Sequence, residues 1–247
     1  MTLSLDHAID ILKATPWVDL THTTTSSSPV FSAFHPPKRT TLFTIEKDGF
    51  FAEEIALCTP TGTHIDAPGH FIKDAPLLNE IAIKNLLLPI HVIHKEEAVQ
   101  IDPDYQLTVD DIHNYEAQYG NIREGAFVAF ASGWSQRWNT PTTFYNLDDE
   151  GHAHTPGWSV DALKFLVEKR KIAAIGHETL DTDAAQEART KGFLVAEHYI
   201  LQQHVWQVEV LNNLLQVPAT GAFIHISFPN LDALPSFPVR AVAYLPV

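Results

Sequence analysis

Thr61-Gly62-Thr63-His64-Ile65-Asp66-Ala67-Pro68-Gly69-His70 places two imidazoles and a carboxylate within ten residues. If residues 64–66 are extended, side chains two apart share a face, so His64 and Asp66 converge. An imidazole and a carboxylate held that way suit a divalent metal such as Zn or Mn. Pro68 and Gly69 turn the chain and bring His70 back over that face, placed to move a proton rather than to ligate. Gly62 allows close backbone approach. The same spacing also suits a polar turn whose side chains cap backbone groups, so the rest of the chain must decide.

The chain has 247 residues, with 16 Lys+Arg against 30 Asp+Glu, a formal charge of −14, 14 His and one Cys. This length fits one large α/β domain over residues 1–247. The acidic balance excludes nucleic acid and anionic membrane as main partners, because both demand a basic footprint. No apolar run approaches the ~18 residues of a membrane span. A lone Cys58 excludes an intrachain disulfide. The start, Met1 to His7, has acid but no basic region ahead of an apolar one, so a cytoplasmic protein is expected. Histidine is the unusual count, and it is both the commonest metal ligand and the usual acid/base near neutral pH.

Outward from residues 61–70, strands and helices alternate. Residues 5–14 read as an amphipathic helix, and Val18–His22 as the start of a strand. Residues 23–37 form a long Thr/Ser/Pro loop whose Val30, Phe31 and Phe34 suggest that it folds over something. Thr40–Glu46 and Glu54–Leu57 flank a Lys47-Asp48-Gly49 hairpin signal. Leu86–His94 and the apolar run Ala126–Ser132 read as strands. Thr108–Tyr119 and Ser159–Lys171 read as capped helices. Strand Ile172–Ile175, helix Leu194–Gln203 and strands Val205–Leu211, Phe223–Phe228 and Val239–Leu245 complete the pattern. Several strands are adjacent in sequence, which predicts an α/β domain with mixed sheets rather than a purely doubly wound one. Residues 133–158 are irregular and predict an excursion over the site. Trp134, Trp138, Phe144 and Tyr145 there suit a wall for a flat substrate or an ordinary core.

The segment at 61–70 resembles the H-x-G-T-H-x-D-x-P-x-H signature of the metal-dependent cyclase family, which includes bacterial arylformamidases (kynurenine formamidases) and isatin hydrolases. Asp19-Leu20-Thr21-His22 is similar to the family's opening D-L-[ST]-H. Thr155-Pro156-Gly157-Trp158-Ser159 is similar to its Pro-Gly-aliphatic-Ser segment before a helix. Ile175 to Asp183 resembles its Ile-Gly-x-Asp-Thr-x-Ser-x-Asp stretch, with Glu178 and Asp181 standing where the family has Asp and Ser. His198 and the run Glu209-Val210-Leu211-Asn212-Asn213-Leu214 resemble its later His and Glu-Asn-Leu segment.

The resemblance implies a swivelling β/β/α cyclase-like fold, a homodimer or larger homo-oligomer, and a small-molecule substrate. It implies His64 and Asp66 as metal ligands, His198 and Glu209 as a later metal-side pair, and His70 as general acid/base. It implies metal-dependent hydrolysis of a small amide, formamide, lactam or lactone. Pro60 stands where the signature has its first ligand histidine, and Cys58, His22, His152, His154 and His177 are the alternatives that the chain offers. The same metal also serves a cyclase or dehydratase, and the missing histidine admits a non-catalytic binding protein. Gly133-Trp134-Ser135 is no G-x-S-x-G elbow, and nucleotide-binding glycine motifs are absent.

Overall fold

The computed structural model describes residues 4–246; Met1–Leu3, on which the leader reading partly rests, lie outside the described residues. In chain order the strands are β1 (Trp17–Asp19), β2 (Lys38–Phe43), β3 (Ala52–Ala56), β4 (His64–Asp66), β5 (Leu87–His94), β6 (Gln106–Leu107), β7 (Phe127–Ala131), β8 (Gly157–Trp158), β9 (Ala174–His177), β10 (Trp206–Glu209), β11 (Ala222–Ser227), β12 (Ser236–Pro238) and β13 (Arg240–Tyr244). The helices are α1 (Leu5–Ala14), α2 (Ile45–Asp48), α3 (Glu96–Ile101), α4 (Val109–Tyr119), α5 (Pro141–Tyr145), α6 (Val160–Phe165), α7 (Ala185–Lys191) and α8 (Val195–Gln202).

Nine strands form one sheet in the order β1-β13-β11-β5-β7-β9-β10-β4-β12. Its centre, β5-β7-β9-β10, is parallel. Antiparallel neighbours extend it on both sides, β11, β13 and β1 beyond β5 and β4 and β12 beyond β10. The mixed α/β architecture expected from the alternation is therefore present. β7 reads as a continuous apolar run because both its faces are covered. Phe127, Ala129 and Ala131 enter one core, and Val128 and Phe130 enter the other. One core packs against helices through Ile112, Leu163 and Ile200. The other joins Val18 and Ala243 from one end of the sheet to Ile65 and Phe237 from the opposite end, so the sheet curls around it.

Local chemistry sets the helix ends. Thr108 caps α4 by accepting from Asp111 N at 3.2 Å, and Asp111 Oδ2 accepts from Thr108 N at 2.8 Å, a reciprocal capping pair. Ser159 caps α6 by accepting from Ala162 N. The single helix expected over 159–171 instead ends its α part at Phe165 and continues as a wider π turn, Leu166–Arg170, closed by Lys171 at φ 50°. The expected hairpin forms between β2 and β3, but Ile45–Asp48 makes a helical turn rather than extending the first strand. Asp48 Oδ2 accepts from Thr44 N, and Gly49 closes the turn at φ 80°. Residues 133–158 are less irregular than their composition indicates, holding a 3₁₀ turn at Trp134–Arg137 and α5.

Two apolar surfaces have no cover from the described residues. The expected stripe of α1 forms, yet Leu5, Ile9 and Leu12 are exposed. β2 is exposed along its whole length, and Leu42, Phe43, Phe50, Phe51 and Ile55 of the hairpin face outward. Clustered exposed apolar groups mark interaction surfaces. Sedimentation should therefore give the wild-type chain a mass above one protomer, and Phe43→Ser with Phe51→Ser should lower it. A wild-type chain that sediments as a monomer at micromolar concentration would rule out an oligomer held by these faces.

Candidate metal centre

β4 and β10 carry the site. Their antiparallel register sets His64 opposite Glu209 and Asp66 opposite Gln207. Alternation along each strand sends Ile65 and Val208 into the core. The other face therefore collects His64, Asp66, Gln207 and Glu209. The ring of His64 is fixed by a 2.9 Å hydrogen bond from Nδ1 to the Gly62 carbonyl. A carbonyl only accepts, so Nδ1 carries the hydrogen and Nε2 faces the carboxylates, where it would present a lone pair to a cation once its proton is displaced. Gly62 sits at φ 65°, and a Cβ there would stand 2.2 Å from Thr24 Oγ1, so glycine is required.

His64 Nε2 lies 3.4 Å from Asp66 Oδ2 and 3.3 Å from Glu209 Oε2. Neither approach has hydrogen-bond geometry. Nε2 of His64 and Oδ1 of Asp66 are buried with no partner among the described residues. Ligand atoms about 2.1 Å from a tetrahedral ion stand about 3.4 Å apart. Ligand atoms of His64, Asp66 and Glu209 all lie within 4.8 Å of one another, all three residues are buried, and together they fit a divalent cation.

A second layer holds these groups. Gln207 Nε2 lies 3.2 Å from Asp66 Oδ2, 3.1 Å from Glu197 Oε1 and 3.0 Å from Glu209 Oε1, offering its two hydrogens to three acceptors. Thr182 Oγ1 donates to Gln207 Oε1 at 2.6 Å. His177 Nε2 stands 3.2 Å from Glu209 Oε1. Asp183 accepts from Ala196 N and Glu197 N at the start of α8, which aims Glu197 inward. The loop carrying Thr182 lies against β8 because a Cβ on Gly157 would meet Ala184 N at 2.1 Å. Burial pulls the pKa of His64 down, but the Asp66 and Glu209 carboxylates outweigh it and hold it well above 6.5. Burial pushes the Asp181 carboxyl up to about 7, helped by Glu209 and Asp183. Burial, then Glu209 and Asp66, push Glu197 well above the usual range. Carboxylates this close repel, and a divalent cation is their natural complement.

A cavity of about 240 Å³ opens over the triad, walled by His70, Phe31, Phe34 and Phe71 among others. His70 sits on the 3₁₀ turn Pro68–His70, its Nε2 3.9 Å from Asp66 Oδ1. The structure thus brings together His64, Asp66, Glu209 and His70. His198 does not join the triad; its ring packs edge-on against Phe193, and its neighbour Glu197 faces the cavity instead. Adjacent helical residues point about 100° apart, so the two cannot both face inward. Pro60 lines the cavity but offers no ligand. Of the alternative residues, His177 reaches the triad through Glu209, whereas His152 and His154 pair with Asp148 and Asp104. Gln207 and Glu197 went unread in the sequence, although Gln207, two residues before Glu209, shares its face by alternation.

The Cyclase family model matches residues 18–184. The chain belongs to the cyclase family. Isatin hydrolase of Roseibium aggregatum is 32% identical over 207 residues, covering 81% of this chain and 78% of that protein. Kynurenine formamidase of Geobacillus thermodenitrificans is 27% identical over 134 residues, covering 54% and 59%. Isatin hydrolase A of Labrenzia aggregata, solved bound to benzyl benzoate, superposes with a TM-score of 0.90 at 29% identity over 98% of both chains. The cyclase-like fold implied by the motifs is therefore the fold of this family member.

His22, in the family's opening motif, lies apart from the triad and stacks on Trp138 with ring centroids 4.5 Å apart. Burial lowers its pKa from 6.5 to about 4, against a smaller upward pull from Asp19. Between those values the unfolded chain binds a proton that the folded chain does not, so stability rises with pH. The contribution is complete above pH 6.5 and lost as pH falls towards about 4, with a ceiling of about 3 kcal/mol. In urea titrations from pH 7 to pH 4, His22→Phe should lose less stability than the wild type. Parallel curves would show that His22 is not buried neutral.

Proposed function

We propose that this cyclase-family chain is a metal-dependent hydrolase acting on a small amide, formamide or lactam, in the class that cleaves C–N bonds other than peptide bonds, or on the C–O bond of the corresponding lactone. The observation that carries the reading is the buried His64–Asp66–Glu209 triad, with His64 Nε2 and Asp66 Oδ1 unpartnered among the described residues, set beside His70 at an aromatic-walled cavity. Relatives named isatin hydrolase and kynurenine formamidase support amide chemistry.

His64, Asp66 and Glu209 would hold the cation, Zn or Mn, and His198 is left outside this set. When bound, such a cation polarises a carbonyl and makes water more acidic. Three protein ligands leave positions open, as hydrolysis requires and a closed structural site does not. Pro60 thus removes one ligand without closing the site. His70 takes a proton from water as the oxygen adds to the carbonyl carbon. It returns a proton to the leaving nitrogen as the C–N bond breaks, a role typically worth about 10²–10⁴-fold. Gln207 keeps Asp66 and Glu209 oriented, and His177 buttresses Glu209. Phe31, Phe34 and Phe71 give the scissile group an apolar surround that limits bulk water.

Zn²⁺ or Mn²⁺ added to chelator-treated protein should raise Tm, by the equivalent of about 2.7 kcal/mol at a hundredfold excess over Kd. Glu209→Ala and His64→Ala should abolish the shift. His70→Ala should keep it and lose hydrolysis of an aryl formamide by at least about 10². Substoichiometric metal after chelator-free purification, with no shift on adding either ion, would favour a non-catalytic binding protein. Unchanged turnover in the His70 variant would remove that residue from the mechanism.

A further inference from the structure

A second cavity, of about 410 Å³, adjoins the one over the triad. The two share Phe31, Leu180 and Asp181, so these residues form a neck between them. The second chamber is walled by Trp134, Phe144, Tyr145 and Leu147. The polar ends of its aromatic groups are already engaged. Trp134 Nε1 donates to the Phe144 carbonyl at 3.0 Å. Tyr145 Oη accepts from Val30 N and donates to Val30 O, both at 2.8 Å. That clasp also pins the loop at residues 23–37 over the chamber. These rings therefore offer faces, not donors, to whatever enters.

Asp181 differs. Its carboxyl makes no hydrogen bond among the described residues, although the groups around it include the carboxylates Glu209, Asp183 and Asp66. A half-buried carboxylate that lines both cavities and has no donor from the protein is open to an N–H of a ligand. Its place at the neck says where on the ligand that donor lies.

We propose that Asp181 and the aromatic chamber form a subsite for the arm of a two-part substrate. The carbonyl end occupies the cavity over the triad, an N–H at the neck donates to Asp181, and a flat apolar group fills the chamber. The occupant is thus a secondary amide with an aryl or arylalkyl arm, larger than a single ring. This rests on the hydrolase reading only for which end faces the triad. Ala153, on the chamber wall, is where a bulky side chain would block the arm.

Calorimetric titration of the Zn-loaded full chain tests the subsite with three probes, while cleavage is followed separately. N-Benzylbenzamide has both arm and N–H, N-methyl-N-benzylbenzamide lacks the N–H, and N-methylbenzamide lacks the arm. The first should bind at least about tenfold more tightly than either of the others, as a hydrogen bond to a carboxylate and a buried ring each predict. Ala153→Trp should bring the ratio of two-ring to one-ring affinity near unity. Asp181→Ala should erase the preference for the N–H, and Asp181→Asn, which keeps an acceptor oxygen, should retain part of it. Equal affinities in the wild type, no binding of any probe, or ratios unmoved in both Ala153→Trp and Asp181→Ala would overturn the subsite. Preferential binding without cleavage of any amide would instead overturn the hydrolase reading and leave the subsite standing.

Discussion

The site depends on the register between β4 and β10. With His64 opposite Glu209 and Asp66 opposite Gln207, one face of the pair gathers the polar side chains. The same alternation places Ile65 and Val208 in the core. A slip by one residue would turn the polar groups into the hydrophobic core and Ile65 or Val208 towards the cavity, so the hydrophobic core itself enforces the geometry of the triad. The parallel pairing of β10 with β9 then carries His177 to Glu209.

Carboxylates collect in this region, and their hydrogen bonds separate them by role. Glu178 is fully buried, and burial raises its pKa, yet Ser132 and Ser135 donate to it, and it clasps the loop that follows β7. Asp183 is likewise satisfied, holding the start of α8. These acids stabilise the scaffold because their lone pairs are filled. Asp66 keeps one oxygen unpartnered, and Asp181 has no side-chain hydrogen bond among the described residues. Burying the Asp66 oxygen unfilled is unfavourable, whereas Asp181 is half-buried and lines both cavities.

The departures from the family pattern surround the triad rather than replace its three members. Pro60, where the signature has a ligand histidine, occupies the cavity wall without donating a lone pair, and Asp181 lines the wall where the resemblance puts a serine. Glu178 departs away from the cavity, fully buried against Ser132 and Ser135. His64, Asp66 and Glu209 keep the residue types of the signature.

His64, Asp66 and the return of His70 follow from period-two alternation and a Pro-Gly turn, which are local rules, and so they were legible in the chain. The apolar run at Ala126–Ser132 likewise announced a strand covered on both faces. What residues 61–70 could not state was their partner: which strand lies beside β4, and in which register, is a pairing between residues 141 to 145 positions apart, set by the curl of the whole sheet. Gln207 and Glu197 are not legible locally for that reason, and His198 stands outside the triad because only packing fixes which face of a short helix turns inward. The sequence determined the chemistry that can be assembled; the tertiary structure decided which groups meet, because the burial of Ile65, Val208 and their neighbours, not any local preference, selects one register among many.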